Sequence, residues 1–254
     1  VVRYVGEAVV AVVAETKAAA TDAAEWVVVD YDPLDPVIDP LTARQHGAVV
    51  FPGVESPVAA EFPAGDRVAD LDACEVVVRQ RIVNQRVAAA PIEGRASACA
   101  WVDGRLVMWS SCQGAHPVRT ALADVYGLEP EQVRGVVPNV GGSFGAKSGT
   151  TMEELLLPDL ARRVDRPVRW AESRGENLTA FVHGRAQIQD VAIGGTRDGR
   201  ITGYDLKVVQ DSGAYPMLGA VLPLMTKMMV TGVYDVTNVG FEAVSVITNT
   251  TPVR

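Results

Sequence analysis

Valine and alanine fill Val5 to Ala14, and β-branched valine at that density predicts an extended strand. The next segment, Thr16 to Trp26, is alanine-rich with Thr16 placed to cap, which predicts a helix. Val27 to Tyr31 returns to a strand pattern and stops at the turn chemistry of Asp32-Pro33 and Asp35-Pro36. Strand, helix and strand in sequence make residues 1–45 a compact α/β unit. From Gln45 to Asp72 the pattern breaks: Gly47, Pro52, Gly53, Pro57, Pro63 and Gly65 interrupt every short apolar run. Residues 46–74 are therefore predicted to be an ordered connection, with the domain boundary inside it.

Regular patterning resumes over residues 75–254. Val76 to Val87 and Ser97 to Val102 predict strands, and Asp103-Gly104 predicts a hairpin into Leu106 to Ser110. His116 to Tyr126 predicts a helix that ends with Gly127 at C′. Val133 to Val137 is a short buried strand pattern, followed by a loop over Asn139 to Ser148. Met152 to Val164 predicts a helix with Leu155, Leu156 and Leu160 apolar and Pro158 as a bend. Arg197-Asp198-Gly199-Arg200 signals a second hairpin. No internal repeat or low-complexity tract is present. Together these elements predict an α+β protein.

Composition narrows the function classes. With 254 residues, 48% of them hydrophobic and 21% charged, the chain can bury a sizeable core as one or two domains. A net charge of −8 argues against a nucleic-acid partner, which requires a basic face. The greasiest stretch, Val1 to Ala14, is broken by Arg3, Gly6 and Glu7 and is too short to span a membrane. Cys74, Cys99 and Cys112 form neither a disulfide framework nor a zinc or iron–sulfur spacing, which predicts reduced thiols and a cytoplasmic protein. The chain opens without Met, on an apolar run, and stops abruptly at Arg254, so it is expected to be a piece of something longer.

Two segments carry candidate chemistry. Pro138-Asn139-Val140-Gly141-Gly142-Ser143-Phe144-Gly145-Ala146-Lys147 is rich in glycine, which lets backbone amides converge on one anionic or oxo group. It is not a P-loop, because Ala146 separates Gly145 from Lys147, and it lacks the dinucleotide spacing G-x-G-x-x-G. On its own it is equally a structural turn. Ser110-Ser111-Cys112-Gln113-Gly114-Ala115-His116-Pro117-Val118-Arg119 puts the Gln113 amide just before a helix start, where it either meets a ligand or fills a turn. His46, His116 and His183 are scattered and predict no zinc site. The adjacent Glu153 and Glu154 read as a solvated first turn favourable to the helix dipole.

In this order the segments resemble the large, cofactor-binding subunit of molybdenum hydroxylases, the xanthine dehydrogenase, aldehyde oxidase and carbon monoxide dehydrogenase family. Val1 to Thr16, the alanine-rich helix and Tyr31-Asp32-Pro33-Leu34 resemble the later half of its hammerhead domain. Gln113 to Arg119 resembles its glutamine loop, and Val140 to Lys147 its glycine–phenylalanine loop. Arg174-Gly175-Glu176-Asn177-Leu178, Asp211-Ser212-Gly213-Ala214-Tyr215 and Thr248-Asn249-Thr250-Thr251-Pro252 are further matches.

The resemblance implies a partial hammerhead unit over residues 1–45, then the first part of a molybdopterin-binding domain with mixed sheets over 75–254. It implies a molybdenum–pterin cofactor, in bacterial members commonly the cytosine dinucleotide form, with Gln113, Gly141, Gly142, Ser143, Phe144 and Gly145 against it. The implied reaction is hydroxylation of an aldehyde or N-heterocycle, or oxidation of carbon monoxide, with water as oxygen source and the metal as electron sink. Iron–sulfur clusters and FAD are expected on partner subunits or domains, not here.

Some family features have no counterpart. The general-base glutamate is expected beyond Arg254, so no catalytic residue is assigned within the chain, and residues 1–254 alone are expected to be inactive. Arg254 falls slightly early to be the active-site arginine. Xanthine-type members carry a glutamate after the loop lysine where Ser148 stands, which argues against purines and makes Ser148 the candidate substrate-pocket residue. A non-catalytic scaffold module and an unrelated anion-binding α/β domain are the alternative readings.

Overall fold

Hydrophobic strand patterns from Val58 onward resolve into two mixed sheets. The computed structural model describes residues 1–46, 50–64 and 69–254; Gly47 and Gly65 of the predicted connection lie outside them. Two helices come first, α1 (Lys17–Ala24) and α2 (Pro40–His46). They are followed by β1 (Val58–Phe62), β2 (Val76–Asn84), β3 (Val87–Ala88), β4 (Ala96–Val102) and β5 (Arg105–Ser110). Next come α3 (Ala115–Tyr126), β6 (Val133–Val136), α4 (Met152–Val164), β7 (Val168–Ala171) and α5 (Arg174–Thr179). The chain continues through β8 (His183–Gly184), β9 (Gln187–Gly195), β10 (Ile201–Asp211), α6 (Leu222–Met228) and β11 (Asn238–Val246).

The larger sheet has the order β1-β11-β10-β9-β2, and only its β10–β11 pairing is parallel. Its β1 lies within the 46–74 connection, so that stretch contributes a strand as well as linking the flanking regions. The smaller sheet, β6-β5-β4-β7, packs its apolar face on α3 and α4 around Cys99, Leu106, Met108, Val118, Leu122, Val133 and Leu157. A two-stranded ladder of β3 and β8 stands apart. No described helix is long and apolar enough to cross a membrane.

Local signals decide several boundaries. Asp103 and Gly104 both take positive φ, 49° and 75°, the backbone of a tight primed hairpin between β4 and β5. Gly127 ends α3 at φ 59° and ψ 41°. Thr16 caps α1 by accepting from the Ala19 N–H at 3.1 Å. Pro158 sits inside α4, where its ring removes one backbone donor. The Tyr126 hydroxyl spans the neighbouring gap, donating to the Leu155 carbonyl at 2.6 Å and accepting from the Asp159 N–H at 3.1 Å.

The strands expected at Val5 to Ala14 and Val27 to Tyr31 do not form. A strand exists only within a ladder, and among the described residues no ladder pairing includes either segment. Val5, Val10 and Val28 are accordingly exposed. The first residues still dock: Tyr4 donates to the Ala180 carbonyl, and the Arg3 guanidinium lies 4.4 Å from the Phe51 ring centroid.

Candidate functional site

Strand β5 runs parallel to β6, with Trp109 opposite Val136. Adjacent parallel strands end at the same edge, so the loops leaving them emerge side by side although α3 separates them in sequence. Gln113 follows β5 and the glycine loop follows β6. That topology brings the two segments together.

The junction is directly hydrogen-bonded. The Ser143 hydroxyl donates to the Gln113 Oε1, and the Gln113 N–H donates to the Lys147 carbonyl at 2.9 Å. The Lys147 N–H in turn donates to the Ser143 hydroxyl at 3.1 Å. Gln113 does not cap α3: the N-cap is Gly114, with no side-chain bond. With its oxygen engaged, the exposed Gln113 amide Nε2 has no acceptor among the described residues.

The loop's conformation suits an electron-rich ligand. Gly142, Phe144 and Gly145 take φ of 102°, 54° and 85°. Such a run turns successive N–H groups to one side as an anion-binding concavity. Among the described residues, the N–H groups of Gly142, Ser143, Phe144 and Gly145 donate to no protein acceptor. Phe144 is a bulky aromatic in the left-handed region and 79% exposed, an arrangement that folding alone does not favour. Four backbone donors and one amide side chain fit the oxo, sulfur or phosphate atoms of a pterin-held metal group. Among the described residues no cluster of three or more His, Cys, Asp or Glu could hold a metal directly.

Beneath the loop lies an ion pair that the sequence did not disclose, its lysine buried and its Glu93 side chain 36% exposed. The Lys147 ammonium, 1% exposed, donates to the Glu93 carbonyl and Oε2, both at 2.9 Å, and to the Ser111 hydroxyl at 2.8 Å. Glu93 Oε2 also accepts from Ser111 at 2.6 Å and from the Gly141 N–H at 2.9 Å. Desolvation pushes the Glu93 carboxyl upward, but hydrogen bonds from Ser111, Lys147 and Gly141, with the lysine charge, outweigh it and lower it to about 2. A Cβ on Gly141 would sit 2.6 Å from the Glu93 Cβ, which is why that position is glycine.

Glu154 also departs from expectation. It is buried, not solvated, accepting from the hydroxyls of Ser97 and Ser110 and from the Thr151 N–H at 2.9 Å. Its partner in sequence, Glu153, pairs with the buried Arg95 at 3.0 Å. Burial pushes the Cys99 thiol up to about 12, which leaves it inert as a nucleophile. Ser148 is exposed just past Lys147, and a Cβ on the next residue, Gly149, would lie 3.0 Å from the Arg254 guanidinium.

Comparison with known proteins adds independent findings. Residues 50–254 match the molybdopterin cofactor-binding domain family. The chain is 36% identical over 262 residues to the nicotine 6-hydroxylase large subunit of Paenarthrobacter nicotinovorans, covering 99% of this chain and 32% of that protein. It is 30% identical to the carbon monoxide dehydrogenase large chain of Hydrogenophaga pseudoflava, covering 99% of this chain and 34% of that one. The fold superposes on quinoline 2-oxidoreductase from Pseudomonas putida 86 with a TM-score of 0.88 and 29% identity, over 94% of this chain and 31% of that chain. The chain therefore spans about a third of the length of these relatives.

Proposed function

The chain belongs to the molybdopterin cofactor-binding domain family, and from that premise we propose that it is part of the catalytic subunit of a molybdenum-dependent hydroxylase. The observation that carries the proposal is the bonded junction of Gln113 with the glycine loop, edged by backbone donors that meet no protein acceptor among the described residues. Gln113, Gly141, Gly142, Ser143, Phe144 and Gly145 would hold the molybdenum–pterin group. When bound, that group supplies the activation of water and the acceptor for an electron pair. The substrate C–H bond becomes C–OH, with oxygen from water.

The chain's own residues bind and orient. The amides of 142–145 and Gln113 Nε2 are donors that need no rearrangement as negative charge develops. Phe144, exposed at the turn of the loop, would lie against one side of the group. Ser148 offers the substrate a neutral hydroxyl. We read the substrate as an N-heteroaromatic ring, because two relatives are named for nicotine and quinoline and because Ser148 supplies no carboxylate for a purine. Iron–sulfur and flavin partners and the cytosine dinucleotide form of the cofactor complete the proposal. We assign no general base within residues 1–254.

The test uses the complete protein that contains this chain. Wild type should carry molybdenum and pterin in equal amounts and place oxygen from labelled water into a quinoline-type product. Gln113→Ala should lose about 10–100-fold in turnover or metal content, the range for groups that orient a bound metal. Absence of both metal and pterin from wild type, or full activity in Gln113→Ala, would overturn the assignment.

A further inference from the structure

We propose that Glu93 is the positioning residue of this site: one carboxylate fastens both ends of the glycine loop and the Gln113 turn into their binding geometry. The inference rests on reading those two loops as cofactor contacts.

The connectivity is specific. Glu93 Oε2 reaches Gly141 at the start of the loop, Lys147 at its end, and Ser111 on the segment leading to Gln113. The backbone repeats the first link, since the Glu93 N–H donates to the Gly141 carbonyl at 3.2 Å. Lys147 spends all three ammonium protons on this cluster, so it has none left for a ligand. The loop between the two ends, from Gly142 to Gly145, is thus shaped from its anchors and keeps its amides free.

Glu93 is itself held from behind. Arg174 donates to the carbonyls of Pro91 at 2.8 Å and Ile92 at 2.7 Å. Asn177 and Arg95 both bond Glu172, whose carboxylate also accepts from the Arg95 N–H at 2.5 Å. The Arg174-to-Leu178 motif is therefore linked to the site through the Pro91-to-Arg95 segment. An ion pair desolvated on its lysine side adds little net stability, and the best-attested use of such pairs is to fix register. Fixing register is what a loop with free amides requires.

The experiment measures amide hydrogen exchange and cofactor content in the complete protein, for wild type, Glu93→Ala and Glu93→Gln. In cofactor-free Glu93→Ala, exchange over Val140–Lys147 and Cys112–Gly114 should rise about tenfold or more, while β4 and the second half of α4 stay near wild type. Glu93→Gln, which keeps an acceptor but loses the charge, should fall between, and it serves if the alanine variant does not fold. Molybdenum and pterin content should drop in the same order. A uniform rise across loop and core would reduce Glu93 to a general stabiliser and overturn the proposal, as would unchanged exchange in the loop. A loosened loop with undiminished pterin content would instead overturn the reading of the loop as a cofactor contact.

Discussion

At the scale of single residues, the carboxylates separate what sequence discloses from what it hides. Glu93 stands in Pro91-Ile92-Glu93-Gly94 with no periodic pattern or motif spacing to distinguish it. Its importance arises from contacts 18, 48 and 54 residues away in the chain. A pH experiment follows from its electrostatics. Its folded value, about 2, lies below the ordinary 4.5, so its contribution is complete above pH 4.5 and is lost as pH falls toward 2. The stability difference between wild type and Glu93→Gln should therefore hold steady above 4.5 and shrink below it, as read from urea midpoints across that window. A difference that grows on acidification would mean the carboxylate is not held ionised by Lys147 and Ser111. Glu154 teaches the same lesson: two adjacent glutamates on a first turn look solvated, yet β4 and β5 present Ser97 and Ser110 to one of them. Gln113 and the glycine loop, by contrast, stood out as candidates from their residue types, but each alone reads equally well as a turn. Only the family resemblance joined them at one proposed cofactor site.

At the scale of elements, turns and helix ends were readable because their causes are local. Asp103-Gly104, Gly127 and Arg197 to Arg200 each adopt the geometry that their sequence requires. The missing strands at Val5 to Ala14 and Val27 to Tyr31 show the converse, since β-propensity cannot supply a partner. Helix α4 lies between these cases. Pro158 was visible as a bend, but its repair by the Tyr126 hydroxyl, 29 residues from Leu155 and 33 from Asp159, was not. Tyr126→Phe should leave a backbone carbonyl and N–H unpaired and cost about 1–3 kcal/mol in urea denaturation. In a Pro158→Ala background the helix can close its own bond at that turn, so the same substitution should cost less. Equal costs in both backgrounds would show that the hydroxyl does not act through the proline gap.

At the scale of the whole molecule, the parallel pairing of β5 with β6 places the glutamine turn beside the glycine loop, and the resemblance in sequence had already put both at one cofactor. The remaining question at this scale is which substrate the assembled site accepts, and Ser148 bears on it. The residue is exposed one position after the buried Lys147, whose ion pair and backbone hydrogen bonds anchor the chain there. A carboxylate there could accept a charge-assisted hydrogen bond from a purine ring N–H. Such bonds contribute about 1.5–3 kcal/mol, against about 1 for a neutral hydroxyl. The difference corresponds to roughly tenfold in rate at 1.4 kcal/mol per decade. Wild-type complete protein should therefore favour quinoline over xanthine in kcat/KM, and Ser148→Glu should shift that ratio about tenfold toward xanthine. The Arg254 guanidinium beside Gly149 could draw the new carboxylate away from the ring. Ser148→Gln, similar in length but uncharged, isolates that effect and should shift the ratio less. A ratio that favours xanthine in wild type, or that stays fixed in Ser148→Glu, would show that substrate class is decided elsewhere in the pocket.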